Sequence, residues 1–396
     1  MTHSTKTLHR TTHYSWKLNN ISKGCQLCVR GRKLVFVVTG VCADHCYFCP
    51  LSDQKKNKDI VWANEWKDAK IKDVLKEAAL TEAKGAGITG GDPLIRLNRT
   101  IKYIKLFKKR FGKKFHIHLY TPLTLVTKDR LEKLHAAGLD EIRFHPFVDK
   151  PHDWNKIDLA FGVQGNKFNW DVGIEIPVIP GKYQQTLDMI KYFEPKIKFL
   201  NLNELEISDA NASKLLQFGF KPKDSLSYGV KDSGTTALKI MKVLSKKHGK
   251  LKVHYCTAQL KDRAQLANRL KIRARNVAQS FDIITPEATL IRGVFYINSL
   301  SPALSSYRRL LEEVKADKKR FKNIKSTLLA AKRLIAKNFN IGKDSILFDE
   351  NKLRLLTSAE IADKLKNSVH ELGLVAAIVE EYPTWDAMEV DVNILT

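Results

Sequence analysis

Residues 41–50 read VCADHCYFCP, and the three cysteines of this stretch decide how the rest of the chain is interpreted. Cys42, Cys46 and Cys49 have the spacing CxxxCxxC, which places three thiolates on one short loop. Such a loop can hold three irons of a four-iron, four-sulfur cube, because cysteine thiolates are the usual ligands of these clusters. The fourth iron then has no protein ligand and can bind a small molecule. The spacing therefore favours a cluster that takes part in chemistry over a plain electron carrier.

A structural zinc site is the competing interpretation of the same region. Cys25 and Cys28 form one CxxC pair, and Cys46 and Cys49 form a second pair at a spacing typical of a zinc ribbon. This interpretation leaves Cys42 without a role. The run LVFVVTGV between the pairs also has the pattern of one buried strand, where a ribbon needs a short polar hairpin. A zinc-ribbon nucleic-acid-binding protein is thus the alternative hypothesis.

A glycine turn follows the next predicted strand, Gly87–Thr89. It reads Gly90-Gly91-Asp92-Pro93 and is separated from the cysteine loop by one predicted helix. Glycines let a ligand approach the main chain closely, and a carboxylate can accept a hydrogen bond from an ammonium group. Alone, the four residues would predict only a turn. Together with the cysteine loop they predict the second half of one site.

The two motifs together resemble those of the radical S-adenosylmethionine (SAM) superfamily. The longer stretch GCQLCVRGRKLVFVVTGVCADHCYFCPLS, residues 24–52, resembles an archaeal group related to pyruvate formate-lyase activating enzymes. The resemblance implies that Cys42, Cys46 and Cys49 ligate a 4Fe-4S cluster whose open iron binds the amino and carboxylate groups of SAM. It also implies that Phe48, just before the last cysteine, packs near the adenine.

The same resemblance assigns the glycine turn and the reaction. Gly90, Gly91 and Asp92 are expected to hold the methionine moiety of SAM, although the family more often has the longer glutamate where Asp92 stands. The implied activity is reductive cleavage of SAM and abstraction of hydrogen from an unidentified substrate. A reductant such as ferredoxin or flavodoxin is the implied partner.

Length and composition fit an enzyme with a large core. The chain has 396 residues, 43% of them hydrophobic, enough for a main domain and an appendage. Sparse cysteines, a polar start and no apolar stretch of membrane-spanning length predict a cytoplasmic protein without a membrane partner. The net charge of +26 is spread along the chain and mildly favours an anionic substrate. RNA contact is not favoured, because the basic patches do not interleave aromatic residues.

Strand and helix patterns alternate after the cysteine loop. The expected strands after the glycine turn are 115–120, 141–145, 172–179, 199–207 and 251–256. Six or seven βα units imply a parallel sheet with right-handed crossovers. We therefore expect an α/β fold: an open, partial TIM-like barrel over residues 30–280, preceded by an N-terminal extension (1–29) with the first CxxC. Residues 281–396 change rhythm and predict a small α+β accessory domain.

In such barrels the chemistry sits at the C-terminal ends of the strands, where polar residues of the predicted strands would line a cavity above the cluster. The candidates for catalysis are His118, Tyr120, Arg143, His145 and Glu175. Further lining residues on the later strands are Asn201, Asn203 and His254. The remaining cysteines, Cys25, Cys28 and Cys256, indicate either an auxiliary metal site or a buried thiol and an unligated pair. The auxiliary site would hold either a second cluster or a single zinc or iron ion with His254 as fourth ligand.

Overall fold

The computed structural model describes residues 7–162, 168–246, 249–302 and 306–395, which divide into two compact units after Arg269. The strands of the first unit are β1 (His9–Arg10), β2 (Trp16–Leu18), β3 (Lys33–Thr39), β4 (Trp62–Ala63), β5 (Trp66–Lys67), β6 (Gly85–Gly90), β7 (His116–Pro122), β8 (Glu141–His145), β9 (Asp171–Val178), β10 (Phe199–Glu204) and β11 (Lys252–Cys256). Its helices are α1 (Lys23–Val29), α2 (Ile71–Leu80), α3 (Leu97–Phe111), α4 (Lys128–Ala137), α5 (Tyr183–Phe193), α6 (Ala212–Gln217), α7 (Ser233–Ser245) and α8 (Ala258–Leu260), and α9 (Ala267–Val277) crosses the boundary.

The first unit is built on one eleven-stranded sheet in the order β1-β2-β11-β10-β9-β8-β7-β6-β3-β4-β5. The seven strands from β3 to β11 in that order run parallel. The short strands at both edges are antiparallel. Helices connect successive parallel strands, and β11 does not pair with β3. The expectation of an α/β fold with an open, TIM-like parallel sheet is confirmed.

Helix α3 illustrates how the sequence pattern builds this barrel. Tyr103, Ile104 and Phe107 recur at helical spacing and are buried, whereas the lysines of the helix lie on its other face. The rings of Tyr103 and Phe107 pack on Phe36 of β3 with centroids 4.5 and 5.5 Å apart. This packing fixes the strand that carries the cysteine loop.

The N-terminal segment is part of the barrel unit. Strand β2 pairs with β11 in antiparallel register, with Lys17 opposite His254. Helix α1 then packs Gly24 so tightly that a Cβ there would lie 2.3 Å from a guanidinium nitrogen of Arg143 and 2.5 Å from Nδ1 of His118. The segment therefore fills the interior of the barrel near β7 and β8.

The second unit has a six-stranded antiparallel sheet in the order β14-β15-β13-β16-β17, with β12 also pairing with β13. Its elements are β12 (Ile283–Ile284), β13 (Leu290–Ile297), α10 (Tyr307–Ala316), α11 (Lys318–Asn338), β14 (Leu347–Asp349), β15 (Arg354–Thr357), α12 (Ala359–His370), β16 (Leu374–Glu381) and β17 (Glu389–Ile394). Ser358 caps α12 by accepting from the Ile361 N–H. Among the residues described in either unit, no helix has both the length and the apolar character needed to cross a bilayer.

Candidate functional site

The cysteine loop follows β3 directly, at the C-terminal end of that strand. Cys42, Cys46 and Cys49 are partly exposed and free of disulfides. Burial raises the pKa of the Cys42 thiol to about 11 and that of Cys46 to about 12. A metal that binds Cys42 and Cys46 must therefore displace the protons that burial favours on these two thiols. Three soft sulfur donors on one loop fit an iron–sulfur cluster.

The glycine turn at the end of β6 is held against the start of this loop. The N–H groups of Gly91 and Asp92 donate to the carbonyls of Thr39 and Val41, each at 2.9 Å. A Cβ on Gly91 would lie 2.1 Å from the Val41 carbonyl oxygen, and Gly90 has a φ of +127° that side chains disfavour. The two glycines thus allow the turn and the loop to meet.

Asp92 has one carboxylate oxygen satisfied and one free. Oδ1 accepts from the Leu94 N–H at 2.9 Å and from the Thr121 hydroxyl at 2.8 Å. Oδ2 is buried and has no hydrogen-bond partner among the described residues. Burial raises the pKa of this carboxyl to about 6. A buried acceptor without a donor costs free energy, so the site fits a ligand that brings an N–H group.

An apolar pocket lies on the other side of the loop. Phe48 packs on His145 of β8, with ring centroids 5.7 Å apart. The pocket is lined by Phe48, His145, Pro146, Phe147, Val148, Asp149, Ile176, Pro177, Ile179, Lys182, Thr186 and Met189. Phe48, His145 and Phe147 are aromatic side chains on which a flat ring such as adenine can stack, but the free volume of about 30 Å³ means that they must move apart to admit it.

The polar residues predicted on β7, β8 and β9 meet inside the barrel around Arg143. Its guanidinium donates to Glu141 at 2.6 Å, to Glu175 at 2.7 Å and to the Tyr120 hydroxyl at 2.8 Å. It also donates to the Ser22 hydroxyl at 3.1 Å. Arg143 is only 2% exposed, so the network lies deep in the barrel rather than at its rim.

The later strands complete this network. Asn201 and Asn203 donate to the two oxygens of Glu175 at 2.8 and 2.9 Å. His145 Nδ1 lies 3.0 Å from the carbonyl oxygen of Glu175. His118 is buried and packs edge-on against Tyr120, and no described residue forms a hydrogen bond with its Nδ1. Of the predicted candidates, His145 is the one that also lines the apolar pocket.

The spare cysteines lie on two different elements. Cys25 and Cys28 are on α1, and Asn201 Nδ2 donates to the Cys25 sulfur at 3.3 Å. Cys256 is buried at the end of β11, and His254 Nε2 lies 3.2 Å from the Ser15 hydroxyl. Over the described ranges, no three His, Cys, Asp or Glu side chains are spaced to hold one metal ion. This finding gives no support to a single-ion site. A four-iron cube spreads its ligands over separate irons, so a second cluster stays a prediction.

Sequence reasoning missed Asp44, Thr124 and Lys150. Asp44 Oδ1 accepts from Lys150 Nζ at 2.8 Å and from the Thr124 hydroxyl at 3.1 Å. The position of Asp44 between two cysteines of the motif was the available signal. Its partners follow other strands and carry no motif of their own.

Comparison with known proteins agrees with this geometry. Residues 36–150 match the Radical SAM superfamily. A protein of Methanocaldococcus jannaschii, provisionally named a glycyl-radical enzyme activating enzyme, is 37% identical over 382 residues, which cover 94% of this chain and 92% of that protein. The chain therefore belongs to the radical SAM superfamily and is related to activating enzymes. It is an enzyme of this class, with a 4Fe-4S cluster and SAM as its cofactors.

The similarity to solved structures is weak. Two structures of TsrM, a radical SAM methyltransferase from Kitasatospora setae, have 11% identity and TM-scores of 0.35 and 0.36. One contains tryptophan and a SAM analogue, and the other contains cobalamin and a 4Fe-4S cluster. The matches cover 64% and 63% of this chain. In both cases this chain spans about half, 54%, of the TsrM chain.

The zinc-ribbon alternative has no support from these findings. The segment between the two CxxC pairs is β3, a strand of the parallel sheet, and not the hairpin of a ribbon. Cys42, which a ribbon would leave unused, lies with Cys46 and Cys49 on one loop after that strand.

Proposed function

We propose that this chain cleaves SAM reductively and uses the resulting radical to abstract hydrogen from a site on another protein. When bound, the cluster and SAM supply a 5′-deoxyadenosyl radical; the chain itself binds, orients and shields them. Cys42, Cys46 and Cys49 hold the cluster in this proposal. The observation that supports SAM binding here is Asp92 Oδ2, a buried acceptor beside the cysteine loop to which no described residue donates a hydrogen bond.

The other residues of the site have positioning roles in the same proposal. Phe48 and His145 contact the adenine in the apolar pocket. Gly90 and Gly91 keep the Asp92 turn against the loop, so that the amino group and the cluster meet at one place. The network around Arg143 forms a rigid floor beneath, and the residues of it that reach substrate would be Tyr120 and Glu175. A one-electron reductant such as ferredoxin or flavodoxin would feed the cluster.

Cleavage of SAM can be measured directly. Anaerobic reconstitution with iron and sulfide, followed by dithionite and SAM, should yield 5′-deoxyadenosine. Cys42→Ala should abolish the product, because two thiolates hold a cube poorly, while circular dichroism remains that of the wild type. No product from a fully loaded wild-type cluster would refute the proposal.

A protein substrate is proposed because the relative in Methanocaldococcus is named for activating glycyl-radical enzymes. Extracts of cells that produce this protein, grown on deuterated glycine, can be split into protein, RNA and small-molecule fractions. Deuterium should enter 5′-deoxyadenosine only with the protein fraction, and protease but not ribonuclease should remove the effect. Deuterium transfer from the RNA or small-molecule fraction would contradict this part of the proposal.

The auxiliary site is a separate proposal with its own measurement. If Cys25, Cys28 and Cys256 hold a second cluster, the wild type binds about eight irons, and a Cys42/Cys46/Cys49 triple-alanine variant keeps about half of them. A folded triple variant without iron would show that the spare cysteines bind none.

A further inference from the structure

A second carboxylate beside the cysteine loop has a free, buried oxygen. The Asp44 side chain is 3% exposed. Its Oδ1 is occupied by Lys150 and Thr124, but Oδ2 is buried and has no hydrogen-bond partner among the residues the structure describes. Buried carboxylate oxygens usually accept at least one hydrogen bond, so this vacancy needs an explanation.

Asp44 and Asp92 both contact the start of the cysteine loop, where the Asp92 N–H donates to the Val41 carbonyl at 2.9 Å. The charge of Asp44 contributes to the raised pKa of Asp92, and both carboxylates contribute to the raised pKa of the Cys42 thiol. The Asp44 N–H also donates to the Cys42 sulfur at 3.4 Å. Two like charges that share a partly desolvated site are unfavourable until a donor or cation lies between them. Both free oxygens lie on residues whose backbones contact the start of the cysteine loop.

The number of donors matches the number of free acceptors. An α-amino group bound to a metal through its lone pair keeps two N–H bonds. The two N–H bonds diverge from one nitrogen, so they do not both point at Oδ2 of Asp92, and its other oxygen is already bonded to Leu94 and Thr121. An acceptor for the second N–H must come from elsewhere in the site.

We propose that Asp44 is this second acceptor, so that Oδ2 of Asp44 and Oδ2 of Asp92 each bind one N–H of the SAM amino group. The inference rests on the proposed function, since it assumes that SAM binds at the cysteine loop. An acceptor on the loop itself also offsets the shorter reach of an aspartate at position 92.

Lys150 and Thr124 have positioning roles in this arrangement. Both bind Oδ1 of Asp44, and this leaves Oδ2 as its only free oxygen. Thr124 follows β7 and Lys150 follows β8, where the Lys150 ammonium also lies 5.0 Å from the Phe147 ring centroid. The ends of three parallel strands thus hold one carboxylate in place.

The test measures SAM affinity without turnover, on anaerobically reconstituted protein of measured iron content and without reductant. Asp44→Asn should raise the Kd for SAM about tenfold, through loss of one charge-assisted hydrogen bond. Asp92→Asn should have a similar effect. Asp53→Asn is the matched control: Asp53 is an exposed carboxylate of the same loop, and its loss should leave the Kd unchanged.

An analogue of SAM that lacks the α-amino group separates this role from a merely structural one. If Asp44 binds the amino group, the analogue should bind Asp44→Asn and wild type equally well. An equal loss of affinity for SAM and for the analogue would overturn the inference, as would an unchanged Kd for SAM.

A further variant covers the case in which Asp44→Asn loads less iron. Thr124→Val leaves the charge of Asp44 in place and removes one contact that orients it. The Kd for SAM should therefore rise a fewfold, and the Kd for the analogue should not change. An equal rise in both Kd values, or no rise in either, counts against the inference. Failure of the proposed function is distinguishable, because then the wild type itself neither binds nor cleaves SAM.

Discussion

The carboxylates around Arg143 and those at the cysteine loop are both buried, but of these two pairs only the first has every oxygen bonded to described residues. Glu141 accepts from Ser22 and Arg143 on one oxygen and from the Gly24 N–H at 3.0 Å on the other. Both oxygens of Glu175 are bonded as well. Asp44 and Asp92 at the loop each keep one free oxygen. The carboxylates bonded to Arg143 have their hydrogen bonds in the folded chain itself, whereas those at the loop need a ligand to bond their free oxygens. Among these four carboxylates, an unpaired oxygen thus distinguishes the pair at the loop from the pair bonded to Arg143.

The largest effect is expected from Arg143→Met, which removes the cation of the interior network. Two buried carboxylates then lack their counter-charge, and the free energy of unfolding should fall by about 3–5 kcal/mol. Urea denaturation measures this. Lys133→Met is the control, since its exposed pair with Asp129 should contribute less than about 0.5 kcal/mol. Equal losses of unfolding free energy in the two variants would contradict the idea that the interior carboxylates depend on Arg143.

Gly91→Ala should have an intermediate effect that is confined to the loop. The added Cβ meets the Val41 carbonyl at 2.1 Å, so the backbone of the loop or of the turn must move. We expect a loss of about 1–3 kcal/mol in unfolding free energy and a severalfold drop in iron bound on reconstitution. Gly342→Ala, whose Cβ would meet only the Ser345 hydroxyl at 3.6 Å, is the control for iron content. Normal iron loading of Gly91→Ala would mean that the close contact does not shape the site.

Asp92→Asn should separate binding from stability. The free protein should lose little or no unfolding free energy, because the substitution removes a buried negative charge that has no direct cationic partner. SAM affinity should fall about tenfold, equivalent to about 1.4 kcal/mol. Calorimetric titration with SAM and thermal unfolding without it provide the two measurements. A large loss of stability without SAM would place Asp92 with the interior network instead.

The smallest effect is a pH dependence of SAM binding. Because burial raises the pKa of Asp92 to about 6, its carboxylate is lost as the pH falls through that value. If only the ionised form binds, the Kd should rise about fourfold between pH 7.5 and pH 5.5 from this group alone. SAM titrates too, so the measured quantity is the ratio of the wild-type Kd to that of Asp92→Asn. A ratio that does not change with pH would contradict this assignment.

The same raised pKa has the opposite sign for folding without SAM. A carboxyl with a higher pKa in the folded protein favours folding at low pH, and this contribution disappears as the pH rises through about 6. As the pH rises through about 6, ionisation of Asp92 should therefore lower the stability of the SAM-free protein and raise its affinity for SAM.

Much of the barrel could be predicted from local patterns. Strand β8 is found at Glu141–His145 as expected, and α4 begins after Thr127 and ends at Gly138 because both are strong capping signals. Strand β2 could not be predicted, since its three residues are too few to show a period. Its pairing with β11 depends on residues more than two hundred positions away.

The motifs of the site could be predicted from the sequence, but the burial of its side chains inside the barrel could not. Alternation along β7 and β8 places Tyr120 and Arg143 on one face, but it does not say how far along the barrel axis each side chain lies. Arg143 is buried because α1 enters the barrel and packs Gly24 against it, a contact between distant parts of the chain. The free oxygen of Asp44 likewise depends on Thr124 and Lys150, which no local pattern connects with the loop.

The pairing of β2 with β11 has a consequence for synthesis. Ser15 and His254, which meet across this pair, are 239 positions apart, so β2 cannot join the sheet until nearly all of the first unit has left the ribosome. Until β10 has emerged, Cys25 also lacks the Asn201 amide that donates to its sulfur, and the N-terminal cysteine pair is less shielded in the nascent chain. Contacts of such long range fold slowly and expose apolar strands while they wait. Iron that arrives before β11 is in place would therefore meet two sets of thiols, those of the cysteine loop and those of the N-terminal pair. The pair would then compete with the loop for the metal.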